Sequence, residues 1–233
     1  MNEKKNLTTK EKFALALQHQ KKNNIKIAEK LYEEILKTDP NYAGAHNNLG
    51  VIFRAIGKPQ KAISCYEKVI KIHPNYAGGY YNLGMVFNEL GKPQKAKNCY
   101  EKAIQIDPNY SDAYWNLYSL ALDTDEALAR LKKLHSINNN FLKAKIMISA
   151  LQGFKGNFND FDNLVASSES NHPLMRSIKW VFSLPKLPKI FFNRWSFFDA
   201  VIALAEKSRP FYEFGVWYGV SFQHLINSFK KGF

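Results

Sequence analysis

His46-Asn47-Asn48-Leu49-Gly50-Val51-Ile52-Phe53 returns 34 residues later as Tyr80-Tyr81-Asn82-Leu83-Gly84-Met85-Val86-Phe87. Each copy is followed by Gly-Lys-Pro-Gln-Lys-Ala, at 57–62 and again at 91–96, and then by a tyrosine, Tyr66 or Tyr100. Each closes on Pro-Asn-Tyr, starting at Pro74 or Pro108, and prolines 40, 74 and 108 keep the same interval. A fixed period of this length is the mark of an architecture in which one small structural unit stacks on the next.

Every recurring residue has a local physical reason. Leu49, Phe53, Ala62, Tyr66 and Val69 fall on one stripe of each of two helices, so a hairpin of the two buries that stripe. Gly50 and Gly84 offer no side chain where two helices cross closely, and Gly57 and Gly91 supply the permissive backbone that ends a helix. Pro59 and Pro93 suit the first turn of the following helix, where no amide partner is lost. Pro74 and Pro108 stop that helix and turn the chain into the next unit.

Outward from this centre the pattern weakens. Ala16, Ala28, Tyr32, Ile35 and Pro40 mark a first, more polar unit. A fourth starts at Ser111 with Tyr114-x2-Leu117, but Tyr118 stands where the inner units have glycine, and Asp123-Thr124-Asp125 reads as a shortened turn. A fifth, degenerate pair is expected over 142–171, with a turn at Gly153-Phe154-Lys155-Gly156-Asn157.

At nearly every marker position these segments resemble the tetratricopeptide repeat. The resemblance implies an all-α chain, a superhelical α-solenoid of helix-turn-helix repeats over 9–42, 43–76, 77–110 and 111–141. It implies a binding scaffold whose first helices line a concave groove for a protein or peptide partner. Asparagine holds one groove position three times, at Asn48, Asn82 and Asn116, and a row of amides suits an extended peptide backbone. Related asparagine rows line the groove of the O-linked N-acetylglucosamine transferase family, which this segment resembles. Arg54, Tyr81, Asn88 and Trp115 are expected on the same face, together with Asn47, Glu89 and Asp112.

Bulk composition is consistent with a folded scaffold. Hydrophobic residues make up 45% of the 233 and aromatics 14%, enough for a core. The net charge of +13 is mostly lysine and spread along the chain, with 14 Lys and Arg up to Tyr76, 9 over 77–145 and 10 beyond. Such a distribution fits solvated helix faces better than a nucleic-acid interface, which stays a lesser alternative. The most apolar region, 180–198, is interrupted by prolines and basic residues, so no membrane span is expected. The charged N-terminus has no apolar signal core, so a cytoplasmic protein is expected. Cys65 and Cys99, one period apart, read as packing residues. The histidines at 19, 46, 73, 135, 172 and 224 have no metal-ligand spacing, and no phosphate-binding loop or nucleophile elbow occurs. No catalytic residue is assigned.

The character changes near His172. A proline-interrupted aromatic connector is expected over 172–196, then a helix over 197–207, a buried strand over 211–216 and a helix from Phe222. Glu213-x-Gly215-x3-Gly219 at a strand-to-helix turn lets backbone approach a ligand closely. Arg209-Pro210-Phe211-Tyr212-Glu213-Phe214-Gly215-Val216-Trp217-Tyr218-Gly219 resembles the first motif of class I S-adenosylmethionine-dependent methyltransferases, the macrocin-O-methyltransferase-like group in particular. The resemblance covers only 197–233, and it implies an α/β start in which Glu213, Gly215 and Gly219 border the methionine and ribose of S-adenosylmethionine. No second-strand acid follows before Phe233, and one strand cannot form a stable parallel sheet. The expectation is therefore a truncated repeat–methyltransferase parent, with no cofactor held by this chain. The alternative is a closing helical domain that carries the same glycines by chance.

Overall fold

The computed structural model describes residues 7–172 together with 174, 175, 178 and 179. The connector over 172–196 therefore lies almost wholly, and the methyltransferase-like start over 197–233 wholly, outside the described residues. Described are α1 (Thr9–Lys21), α2 (Ile25–Thr38), α3 (Ala43–Ala55), α4 (Pro59–Ile72), α5 (Ala77–Glu89), α6 (Pro93–Ile106), α7 (Ser111–Tyr118), α8 (Thr124–Ile137), α9 (Leu142–Phe154) and α10 (Asn159–Val165). A single 3-10 turn, Ser168–Asn171, follows, and no strand occurs among the described residues. The described residues are all-α, and the chain divides after Pro108 into two units.

In the first unit α1/α2, α3/α4 and α5/α6 are antiparallel hairpins, and each packs on the next through α2 against α3 and α4 against α5. The hairpins close on a repeated large-on-small contact. Tyr32, Tyr66 and Tyr100 are fully buried, facing Ala16, Gly50 and Gly84. A Cβ on Gly50 would lie 2.6 Å from Tyr66 Cε1, and one on Gly84 2.7 Å from Tyr100 Cε1. That is below any real carbon contact, so the glycines are required for the helices to come this close. Gly57 and Gly91 adopt φ of +70° and +67°, and Asn23 takes the same left-handed conformation at +61° in the first hairpin. The lysines of the recurring motif also have a packing role: Lys61 Nζ lies 5.2 Å from the Phe53 ring centre and Lys95 Nζ 5.5 Å from that of Phe87. His46 Nε2 donates to the Pro40 carbonyl at 2.9 Å and ties the turn between the first two hairpins to α3.

In the second unit the same contact is reshaped. Tyr118 takes the glycine's place and Leu131, fully buried on α8, takes the tyrosine's, so bulk moves from the second helix to the first. The first helix shortens in consequence: α7 has 8 residues where α3 and α5 have 13, and Leu120 and Ala121 are buried in the turn that follows. The expected turn Asp123-Thr124-Asp125 is shorter still, because Thr124 and Asp125 already belong to α8. Asp123 caps that helix by accepting from the Glu126 amide at 2.8 Å. Arg130 donates to the Leu117 carbonyl and the Glu126 carboxylate, fastening α8 to the end of α7. Below them α9 and α10 form a last hairpin, packed through Ile146, Ala150, Phe161 and Leu164 with Met175 and Ile178. No helix among the described residues is long and apolar enough to cross a membrane.

Candidate functional site

In the first unit α3 also touches α5. The first helices of these hairpins, α3 and α5, therefore share one face of the first unit, and their polar residues line it. Asn48 and Asn82 are both half-buried there, but each already holds a protein partner. Asn48 Nδ2 donates to the Tyr32 hydroxyl at 3.1 Å, and that hydroxyl donates to Gln20 Oε1 at 2.9 Å. Asn82 Nδ2 donates to Asn47 Oδ1 at 3.0 Å, and Asn47 Nδ2 reaches Asn48 Oδ1 at 3.4 Å, the long and weak link. The amides thus form one relay, Asn82 to Asn47 to Asn48 to Tyr32 to Gln20, across three consecutive hairpins.

Asn47 is the joint of this relay, and its place was only partly legible. It was expected beside the row, whereas the structure puts it within, because its partner Asn82 stands 35 positions further on and only stacking brings them together. Arg54, about two helical turns along α3 from Asn47, donates to Met85 Sδ at 3.1 Å and stands 3.7 Å from Glu89 Oε1. This half-exposed pair is worth little to stability but orients both charges across neighbouring hairpins. Tyr81 follows Asn47 in the repeat register, with its ring 5.9 Å from that of Tyr100, and Asn88 is half-buried near the end of α5. Trp115 and Asn116 belong to α7 in the second unit, both half-buried. The Trp115 ring lies 4.8 Å from Tyr118 and 5.3 Å from Phe141, so an aromatic cluster stands there. Glu213, Gly215 and Gly219 lie outside the described residues.

Beside the relay lies a recess of about 300 Å³ whose lining includes Phe13, Gly44, Asn47, Asn48, His73 and Tyr76. A Cβ on Gly44 would meet Phe13 Cζ at 3.0 Å, a tight contact. Tyr76 is an exposed large aromatic at its rim. His73 and Tyr76 read in the sequence as turn residues of the Pro74 motif, and only the folding-back of that turn over α3 makes them lining. Burial pushes the Tyr32 phenol up to about 12, despite the opposing hydrogen bond from Asn48, so the relay stays uncharged around neutral pH. Cys65 and Cys99 carry free thiols packed at the edge of the core, and burial pushes each up to about 11, away from nucleophilic chemistry. No group of His, Cys, Asp or Glu suited to a metal ion occurs among the described residues.

The family model for the tetratricopeptide repeat matches 43–76 and 77–110, so the two central hairpins are tetratricopeptide repeats. No curated protein matches the sequence. Among solved structures the fold is similar to that of a MamA protein, with TM-score 0.59 and 24% identity over 77% of this chain and 98% of that one. It is similar also to YrrB, described as a TPR protein with an unusual peptide-binding site, with TM-score 0.59 and 18% identity over 74% of this chain and 92% of that one. A mutant O-GlcNAc transferase of Thermobaculum terrenum gives TM-score 0.53 and 21% identity over 58% of this chain and 27% of that one. At these identities the likeness is one of fold.

Proposed function

We propose that the chain is a protein-interaction scaffold that holds an extended peptide along the α3–α5 face of its first unit. The observation that carries this reading is the amide relay of Asn47, Asn48 and Asn82 running beside a recess large enough for one peptide side chain. Peptide backbone offers alternating donors and acceptors, and carboxamides meet both. Arg54 and Glu89 supply one charge of each sign for a polar side chain, and Tyr81 and Asn88 extend the face along α5. Trp115 and Asn116 offer a comparable surface in the second unit. YrrB, described as having a peptide-binding site, is built on the same fold. Selection of random linear peptides on the full chain tests the idea. Peptides should be recovered whose affinity falls at least about tenfold, roughly 1.4 kcal/mol, in an Asn47→Ala/Asn82→Ala double variant of unchanged circular dichroism. Unaltered affinity in that variant overturns the assignment.

A second reading rests on the 209–219 motif alone. In it the repeats recruit an acceptor for an S-adenosylmethionine-dependent methyltransferase domain, with Glu213, Gly215 and Gly219 bordering the cofactor in a longer parent. Reading the gene past the Phe233 codon tests it. An open frame in which the next strand ends in an acidic residue supports it, and a frame without one removes it.

A further inference from the structure

The second unit contains a pocket that the repeat pattern does not provide for. Counted from the left-handed residue of each hairpin (Asn23, Gly57, Gly91 and Gly156), the residue nine positions on is Tyr32, Tyr66, Tyr100 and Val165. The tyrosines are fully buried inside helices that continue for several residues more, but Val165 is half-buried and ends its helix. Thus α10 has 7 residues where α4, α6 and α8 have 14, and the chain passes instead into a 3-10 turn. Ser149, at the place of Gly50 and Gly84, adds only a hydroxyl. The bulk that closes the earlier hairpins is missing, and a pocket of about 510 Å³ opens between α8, α9 and α10. That volume falls within the ordinary range of small-molecule sites.

Its chemistry is uneven. Lys132 and Lys145 line its mouth, both exposed, and neither pairs with a carboxylate among the described residues. Lys145 stands where the earlier first helices carry His46, Tyr80 and Tyr114, so a cation replaces a packing ring. His135 also lines the pocket, and its Nδ1 is buried with no hydrogen-bond partner. Ile148 and Leu164 make an apolar wall, and Asp160 and Asn163 on α10 supply an acceptor carboxylate and a carboxamide. The Ser149 hydroxyl is spent on the Ile146 carbonyl at 2.8 Å, so it can only accept from a ligand.

We propose that this pocket binds a small hydroxylated organic phosphate of the sugar-phosphate class. Two unpaired ammonium groups match a phosphate monoester, whose charge near pH 7 is about −1.5 to −2, better than they match a single carboxylate. Lys132 and Lys145 hold its phosphate, Asp160 and Asn163 take its hydroxyls, and its carbon skeleton lies on Ile148 and Leu164. The surface is separate from the amide relay, which lies in the other unit.

Calorimetric titration of the full chain with glucose 6-phosphate, glucose and inorganic phosphate, at constant ionic strength, tests the proposal. Glucose 6-phosphate should bind saturably, more tightly than about 1 mM, and glucose should give no heat of binding. Lys132→Glu and Lys145→Glu should each weaken that binding at least about tenfold with an unchanged melting curve. Lys143→Glu, on the same helix and exposed like Lys145 but outside the lining, should leave it intact. No saturable binding, equal binding by inorganic phosphate, or equal loss in the Lys143 variant overturns the proposal.

Discussion

The hydroxyl of Tyr32 donates to Gln20 and accepts from Asn48, while that of Tyr66, one repeat later, is buried with no hydrogen-bond partner. The difference arises in two replaced neighbours. Gln20 becomes Arg54, which is turned to Met85 and Glu89, and the asparagine that would reach Tyr66 is Asn82, which is turned to Asn47. Removing a satisfied hydroxyl leaves its partners unpaired, whereas removing an orphaned one relieves a buried polar group. Tyr32→Phe should therefore destabilise the chain by about 1 kcal/mol, and Tyr66→Phe should be neutral or stabilising. Urea denaturation of the two variants side by side checks the contrast, and equal losses would count against the relay.

At the scale of the element, Gly84→Val places branched carbons against the buried Tyr100 ring, where even a single Cβ would sit at 2.7 Å. Overpacking of this kind costs about 1–3 kcal/mol, so the urea midpoint should fall accordingly. A midpoint left where it was would mean that α5 and α6 do not cross as described. The hairpins were legible in the sequence because each marker acts locally: Gly57 ends a helix, Pro59 begins the next, and Tyr66 meets Gly50 within one unit. What was not legible depends on groups far apart in sequence or on small shifts of a boundary. The role of Asn47 needs Asn82, and the lining role of His73 and Tyr76 needs the turn to fold over α3. The early start of α8 hangs on one aspartate cap, and the brevity of α10 carries no proline or glycine to announce it.

For the molecule as a whole, the part-buried thiols and the buried Tyr32 phenol contribute to the response to alkali. The Cys65 and Cys99 thiols, pushed up by burial from an ordinary 9.0 to about 11, hold their protons more tightly folded than unfolded. Their contribution to stability is complete below the unfolded value and is lost as pH rises through the folded one, between pH 9.0 and about 11. The Tyr32 phenol continues the loss toward 12. The urea midpoint should therefore decline from about pH 9 upward, and a Cys65→Ala/Cys99→Ala variant should show a shallower decline over that interval. A variant declining as steeply as the parent would show that the thiols do not govern it. The amide relay has one further consequence, which follows from its polarity. Each donor from Asn82 to Tyr32 points the same way, toward Gln20, so the bond dipoles add along the hairpins instead of cancelling. Rotating the Asn47 carboxamide by half a turn would break two links at once. The lane is consequently one-way: it ends in an oxygen at Asn82, and a chain laid along it head-first is not equivalent to the same chain laid tail-first.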